Sequence, residues 1–183
     1  KQIKILIDQI PTITVILSGS SSIGLFEVGE PLVGRSHVSN LYPLSTRELS
    51  RNNFDLKNTN LINELMLFGS YPELINLSTK NEKIEYLLDI VGTYLLKDIL
   101  TFDSIRNSSV ILKLLKLLSY QIGNLVSYNE LAQQLLVDVK TVQKYIDILE
   151  KSFIIFSLGS YSKNQRSAMK FKKKYYFVDL GIR

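Results

Sequence analysis

The chain has 183 residues, of which 45% are hydrophobic and 21% are charged, and it contains no cysteine and one histidine. This composition predicts a folded protein with a buried core, long enough for one large or two small domains. It excludes disulfides, zinc–thiolate sites and a cysteine nucleophile, and any catalytic triad or histidine metal site would depend on His37, which we interpret as structural.

The charge is distributed unevenly along the chain. Residues 1–137 carry 12 Lys or Arg and 13 Asp or Glu, whereas residues 138–183 carry 10 and 4, a net charge of +6. The basic C-terminal end predicts contact with a polyanion. No apolar run approaches the about 18 residues that a transmembrane helix needs, and no signal peptide is recognisable. We therefore expect a cytoplasmic protein without a membrane partner.

The N-terminal region reads as a piece of an α/β sheet. Residues 1–10 predict a helix that stops before Pro11. The apolar, β-branched segment 12–18 predicts a strand buried in a parallel sheet, followed by a short helix over 22–30 and a second strand over 35–44. Two strands are fewer than such a sheet usually has. Because the chain also begins at Lys1 and not at Met, we expect it to be a piece of a longer protein.

The middle of the chain is predicted to be helical. The patterns indicate helices over 45–52, 58–69, 81–100 and 108–123. The first begins with Ser45 and Glu48 in the S-x-x-E spacing of a capping box, and the second ends at Gly69, a typical C-cap. The third carries Ile84, Leu87 and Leu88 at helical spacing. The fourth is strongly apolar and is expected to be central.

The C-terminal end predicts a helix-turn-helix followed by a hairpin. Ser127 and Glu130 have capping-box spacing at the start of a helix over 127–136. Asp138 is the expected N-cap of a second helix over 138–152, which places Val139, Val142, Ile146 and Leu149 on one face. Two strands are predicted over 153–162 and 174–180. This order is that of a winged helix, so the fold class is mixed α/β, mostly α.

The winged helix suggests a nucleic-acid contact. The polar face of its second helix carries Lys140, Thr141, Gln143, Lys144 and Asp147, of which the first four are candidates for base or phosphate contact. The hairpin supplies further candidate phosphate contacts at Lys163, Arg166, Lys170, Lys172, Lys173 and Lys174. The alternative is that the module packs against a protein, and that these lysines are solvated. Asp147 would repel phosphate, and the helix lacks Arg and Asn.

Six segments in order carry a resemblance to a known family. They are "ILSGSSS", "LVGR" with "LYPLSTRELS", "FGSYPELI", "YLLKDIL", "VSYNELAQQLLVDVKTVQKYIDILEKSFIIFSL" and "KKYYFVDLGIR". Together they resemble the C-terminal two-thirds of prokaryotic AAA+ type ATPases of the archaeal-ATPase kind, in which an ATPase core leads into a C-terminal domain of unknown function. The resemblance covers nearly the whole chain, although Thr46 stands where the family usually has phenylalanine.

The resemblance implies roles for several residues. Ser20 and Ser21 would lie in the sensor-1 loop, where a hydroxyl faces the γ-phosphate or the attacking water; alternatively, Ser21 or Ser22 caps the helix over 22–30. Arg35 would act as an arginine finger across a subunit boundary, or form an ordinary salt bridge at a strand edge. Gly69 and Pro72 would face the adenine side of a helical lid, or simply stop a helix.

The chain lacks the family's nucleotide-binding and catalytic motifs. It has no G-x-x-x-x-G-K-[ST] loop and no Walker-B strand, since "IKILIDQI" has Gln9 where a catalytic Glu would stand. The intact relative would bind ATP and Mg²⁺, whereas this chain alone is expected to bind no cofactor or metal and to be inactive. It also ends at "DLGIR", where family members continue into an endonuclease-like region, so no nuclease is predicted.

The resemblance divides the chain into three parts. Residues 1–45 would be a remnant of the parallel α/β ATPase core, residues 46–103 a helical lid, and residues 104–183 a winged helix. The expected function is a nucleotide-sensing lid coupled to a winged helix that binds DNA. The alternatives are a winged-helix DNA-binding regulator, or a protein-interaction module without nucleotide. The expected partners are accordingly DNA, other subunits or another protein.

Overall fold

The part of the chain that the structure describes is mostly helical with a small antiparallel sheet, in agreement with the predicted class. The computed structural model describes residues 2–10, 12–19, 36–51, 59–95, 108–159 and 172–183. The α-helices are α1 (Gln2–Gln9), α2 (Thr46–Arg51), α3 (Thr59–Phe68), α4 (Lys80–Asp89), α5 (Ser108–Tyr120), α6 (Tyr128–Leu135) and α7 (Val139–Lys151). The strands are β1 (Ile155–Leu158) and β2 (Lys174–Phe177). Shorter helical turns are Pro72–Ile75 and Leu180–Ile182, both 3-10, and the π-helical segment Ile90–Leu95 that continues α4.

Local side-chain bonds fix where two of the helices begin. The Ser45 amide donates to the Glu48 carboxylate at 2.9 Å, and the Glu48 amide donates to the Ser45 hydroxyl at 3.3 Å, so the predicted capping box of α2 is confirmed. Thr79 and Glu82 form the same reciprocal pair at the start of α4. Both boxes satisfy backbone N–H groups that the first turn of a helix leaves without partners.

The two predicted N-terminal strands are wrong for the described residues. Residues 13–19 and 36–42 have no regular secondary structure. Ile16 is 88% exposed and Leu41 is fully exposed, whereas both segments were expected to belong to a buried sheet. A strand forms only when its backbone groups pair with a neighbour. In the described part of the chain neither segment joins a sheet, so an apolar, β-branched composition alone does not produce a strand there.

The larger of two hydrophobic clusters lies in the C-terminal part of the chain. It contains buried side chains from α5, α6, α7, β1 and β2, with Ile111, Leu114 and Leu118 of α5 almost fully enclosed. This confirms the central position predicted for that helix. Val142, Ile146 and Leu149 are buried on one side of α7, and Val139 packs against the cluster in part, as their spacing predicts.

The smaller cluster lies between α3 and α4. Phe68, Leu74 and Leu87 are buried in it, and the Lys83 ammonium lies 5.6 Å from the centre of the Phe68 ring. The predicted apolar face of α4 is only partly correct, because Ile84 is 46% exposed and Leu88 is 64% exposed. Among the described elements, α3 packs against α4, and the side of α4 that carries Leu87 faces α3.

The C-terminal turn Leu180–Ile182 connects the two clusters. Ile182 packs against the larger cluster, while Gly181 lies against residues of the smaller one. A Cβ atom at Gly181 would stand 2.0 Å from the Phe68 carbonyl oxygen and 2.9 Å from Cδ2 of Leu87. The end of α3 and this turn therefore approach so closely that only glycine fits between them.

A buried carboxylate holds this approach together. Asp179 is 3% exposed; its Oδ2 accepts the Ser70 amide at 2.8 Å and its Oδ1 accepts the Gly181 amide at 2.7 Å. Gly69 ends α3 with φ at +79°, and a Cβ there would lie 1.7 Å from Asp179 Oδ1. We call Gly69, Ser70, Asp179 and Gly181 the Asp179 clasp. The Gly69 C-cap was predicted, whereas its partner was not.

The clasp also reaches the segment before α2. The Ser70 carbonyl accepts the Leu44 amide at 2.9 Å, so one residue connects this segment to the C-terminal turn. Burial raises the pKa of the Asp179 carboxyl, and the hydrogen bonds from Ser70 and Gly181 oppose the rise. The ionised carboxylate is thus costly to bury, and its contribution comes from satisfying two backbone N–H groups.

Replacing Asp179 is expected to destabilise the fold strongly. Asp179→Ala leaves the Ser70 and Gly181 amides without their acceptor, so we expect the free energy of unfolding to fall by about 2–4 kcal/mol in urea denaturation. The control is Asp147→Ala, which removes an exposed carboxylate 2.7 Å from Lys151 and is expected to cost about 0.5 kcal/mol or less. Equal effects of the two substitutions would contradict the role of the clasp.

Candidate functional site

The two helices predicted before the C-terminal strands are present as α6 and α7, and a short turn joins them. The turn is tight because Leu136 adopts the left-handed conformation, with φ 55° and ψ 44°, and the Val137 amide donates to the Ala132 carbonyl at 3.1 Å. Asp138 then caps α7, accepting the Thr141 amide at 2.8 Å and the Thr141 hydroxyl at 2.9 Å. The predicted N-cap of α7 is confirmed, and these bonds lower the pKa of Asp138.

The capping box predicted for α6 is not formed. Ser127 occupies the N-cap position, but its side chain accepts no capping hydrogen bond. Its ψ is 116°, whereas the side-chain caps Thr79 and Asp138 have ψ values of 151° and 159°. The amide of the preceding Val126 donates to the Lys173 carbonyl, so the chain enters α6 directly from a strand-like pairing that S-x-x-E spacing does not reveal.

The polar side of α7 is exposed as predicted. Lys140, Gln143, Lys144 and Asp147 are exposed, and Thr141 is half-buried. The Asp147 carboxylate lies 2.7 Å from the Lys151 ammonium one turn further along the helix. One helix therefore brings the predicted contact residues of this region to a single surface, opposite the face that packs in the larger cluster.

The sheet behind this helix contains a pairing that the sequence interpretation missed. β1 and β2 are antiparallel, with Ile155 opposite Phe177 and Leu158 opposite Lys174. On the other side of β2, Leu125 forms an antiparallel bridge with Lys174, and the Val126 amide donates to the Lys173 carbonyl at 3.0 Å. A pairing of two residues is too short to leave a periodic pattern in the sequence. Val126 is nevertheless buried, with 2% of its surface exposed.

Tyrosine side chains fasten β2 to its surroundings. The hydroxyls of Tyr128 in α6 and Tyr175 in β2 form a hydrogen bond, and burial raises the pKa of Tyr175. On the other face of the strand, Tyr176 stacks on Phe156 with ring centres 5.6 Å apart. The start of β2 is thereby held in a fixed position relative to α6 and β1.

The basic residues of the hairpin divide into two groups. Lys172, Lys173 and Lys174 are exposed where the chain enters β2, so the paired backbone presents three consecutive lysines. Lys163, Arg166 and Lys170 lie outside the described residues. The lysines of α7 and of β2 belong to the same packed unit, since α6 contacts α7 and α7 contacts β1.

Of the residues that the resemblance places near nucleotide, only two can be located. Ser20, Ser21 and Arg35 lie outside the described residues. Gly69 is buried in the clasp, and Pro72 is exposed at the start of its 3-10 turn. Gly69 also borders a cavity of about 550 Å³. The other residues around this cavity are Leu44, Thr46, Leu49, Ile62, Leu65, Met66, Ser70, Val178, Asp179 and Leu180.

The Asp179 carboxylate occupies the space beside Gly69, where an added Cβ atom would lie 1.7 Å from Oδ1. The sequence contains no G-x-x-x-x-G-K-[ST] phosphate-binding loop. In the described ranges, no three His, Cys, Asp or Glu side chains are grouped to hold a metal ion. The helices within those same ranges include none that is long and apolar enough to cross a membrane.

The chain is similar to two uncharacterized proteins over most of its length. It is 25% identical over 179 residues to an uncharacterized protein of Haemophilus influenzae, covering 92% of the chain and 44% of that protein. It is 25% identical over 182 residues to an uncharacterized protein of Methanocaldococcus jannaschii, covering 90% of the chain and 41% of that protein. The chain thus spans less than half the length of these relatives. No solved structure matches it.

A family model supplies the assignment. The model described as a domain of unknown function, DUF8612, matches residues 59–183, about two-thirds of the chain. The match begins at the first residue of α3 and runs without interruption through the clasp and the C-terminal turn. The division predicted at residue 103 stays a prediction. Because the match covers more than half of its residues, the chain belongs to the DUF8612 family of domains of unknown function.

Proposed function

We propose that the C-terminal part of this chain is a winged helix that binds DNA, within a protein of the AAA+ ATPase type. The observation that carries the proposal is the pairing of Leu125 and Val126 with Lys173 and Lys174. In a winged helix, a short strand between the first two helices pairs with the last strand of the hairpin, and the small sheet supports the helix-turn-helix. The observed order of α5, the short pairing, α6, the turn, α7, β1 and β2 supports this interpretation.

The charge of the module supports a nucleic acid as its ligand. The second helix of a helix-turn-helix is the one that enters the major groove, and α7 carries Lys140, Gln143 and Lys144 on its exposed side. Lys172–Lys174 add three cations where the hairpin would meet phosphates. Residues 138–183 have a net charge of +6, which favours association with a polyanion.

The coupling to an ATPase rests on the resemblance and on the clasp. If the resemblance holds, α3 and α4 would belong to the helical lid. The Asp179 clasp binds the end of α3 to the residues that follow β2. A lid that moved with nucleotide state would therefore move the winged helix with it. The relatives are more than twice as long as the matched region, which leaves room for a nucleotide-binding core outside this chain.

The DNA contact is tested by removing the lysines at the proposed surface. Two variants are compared: Lys172→Gln with Lys173→Gln and Lys174→Gln, and separately Lys140→Gln with Lys144→Gln. We expect each to weaken binding to a fluorescent 20-base-pair duplex at least about tenfold in anisotropy titrations, because fewer lysine–phosphate contacts release fewer counterions from the DNA. The matched control is Lys113→Gln with Lys116→Gln on the exposed side of α5. Unchanged binding by both lysine variants would reject the DNA interface.

The nucleotide part has its own test. By calorimetry with a non-hydrolysable ATP analogue and Mg²⁺, we expect no binding to this chain, because it has no loop of backbone amides and lysine to hold the β- and γ-phosphates. We expect binding to the full-length Haemophilus influenzae relative. Failure of the full-length protein to bind would reject the ATPase assignment and leave the DNA-binding proposal standing on its own.

A second candidate is a protein-interaction module. Ile62, Met66 and Leu180 beside the cavity are 42%, 62% and 40% exposed, and exposed apolar groups around a concavity are typical of protein contacts. The DNA titrations separate the two candidates. A chain that folds normally but binds no duplex would favour the interaction module.

A further inference from the structure

We propose that the winged helix binds double-stranded DNA through its phosphates and does not read base sequence. This inference rests on the proposed function and specifies its substrate class. The observation behind it is that the groups at the start of α7, where a helix-turn-helix normally contacts base edges, are already engaged within the protein. Lysines make up most of the other exposed candidates for DNA contact.

Asp138 and Thr141 are hydrogen-bonded to each other at the start of α7. The two Asp138 carboxylate oxygens accept the Thr141 amide at 2.8 Å and the Thr141 hydroxyl at 2.9 Å. A carboxylate reads cytosine by accepting from its amino group, and a threonine hydroxyl reads a base by donating or accepting at its edge. Moving the Asp138 carboxylate onto a base would break the N-cap, and donating the Thr141 hydroxyl to a base would break its bond to Asp138. Both groups are therefore poorly placed to read bases.

The rest of the exposed side of α7 carries one amide side chain that could pair with a base edge. The α7 sequence contains no Arg and no Asn, the side chains that pair most specifically with guanine and adenine along with Gln. Gln143 is exposed and is the remaining amide. Asp147 lies 2.7 Å from Lys151, and its negative charge disfavours close contact with a phosphate.

The cations on the described surface suit phosphates of any sequence. Lys140, Lys144 and Lys172–Lys174 are exposed, and a lysine ammonium is a point charge that accepts many phosphate geometries. Phosphate contacts position a protein on a duplex and carry no direct sequence information. A helix of this size enters the wide major groove of B-form DNA, whereas the deep, narrow major groove of A-form RNA does not admit it.

The test compares two duplexes of equal length and unrelated sequence over a range of salt concentrations. We expect their dissociation constants to agree within about threefold, and the logarithm of affinity to fall with the logarithm of salt with a slope of about −3 to −5, as a few lysine–phosphate contacts require. Lys140→Gln and Lys144→Gln should each reduce the magnitude of the slope by about 1 on both duplexes. Gln143→Ala should leave both affinities within about twofold.

The outcomes distinguish this inference from the proposed function. More than tenfold discrimination between the duplexes, or a loss on Gln143→Ala confined to one of them, would overturn phosphate-only binding while leaving DNA binding intact. Equal or tighter binding to an A-form RNA duplex of the same length would overturn the choice of DNA. Absence of binding to every duplex would reject the proposed function, and this inference with it.

Discussion

The carboxylate of Asp179 joins parts of the chain that lie 109 residues apart. Its two oxygens accept the amides of Ser70 and Gly181, and Gly69 and Gly181 allow the two backbones to approach more closely than any side chain would permit. Burial makes the ionised carboxylate costly, as the raised pKa of Asp179 indicates. The stabilisation therefore depends on satisfying backbone donors at a largely buried carboxylate.

This contact determines how the two hydrophobic clusters meet. The smaller cluster around Phe68 and the larger cluster around α5–α7 each bury their own side chains. Between them, Ile182 packs on the larger cluster, and Gly181 approaches Phe68 and Leu87 of the smaller one. The DUF8612 match likewise includes both clusters. A proposed winged helix attached in this way would follow any movement of α3 and α4.

The features predicted correctly from sequence are those with local causes. The Ser45–Glu48 box and the Asp138 cap connect residues three positions apart, and the buried face of α7 follows from the spacing of Val142, Ile146 and Leu149. The strand predicted over 12–18 failed because pairing requires a neighbour, which composition cannot supply. The pairing of Val126 with Lys173 is too short to leave a pattern in the sequence.

The clasp could not be predicted for a related reason. The sequence predicts Gly69 as a C-cap and includes Asp179 in the strand over 174–180. No local sequence pattern indicates that these two residues are in contact. Their relation depends on the packing of everything between them. In the candidate site, the exposed side of α7 and the lysines at 172–174 could be predicted from helical periodicity and charge, and the two strands from their composition. The pairing of Leu125 and Val126 with the start of β2 emerged only from the structure.

Native-state amide hydrogen exchange of the whole chain tests the central claim most directly, namely that the Asp179 clasp holds α3 and the C-terminal turn together. The account predicts that the Ser70 and Gly181 amides are protected, and that they exchange with a free energy of opening similar to that of the buried α7 amides of Ile146 and Leu149. Rapid exchange of Ser70 and Gly181 while those α7 amides stay protected would contradict it.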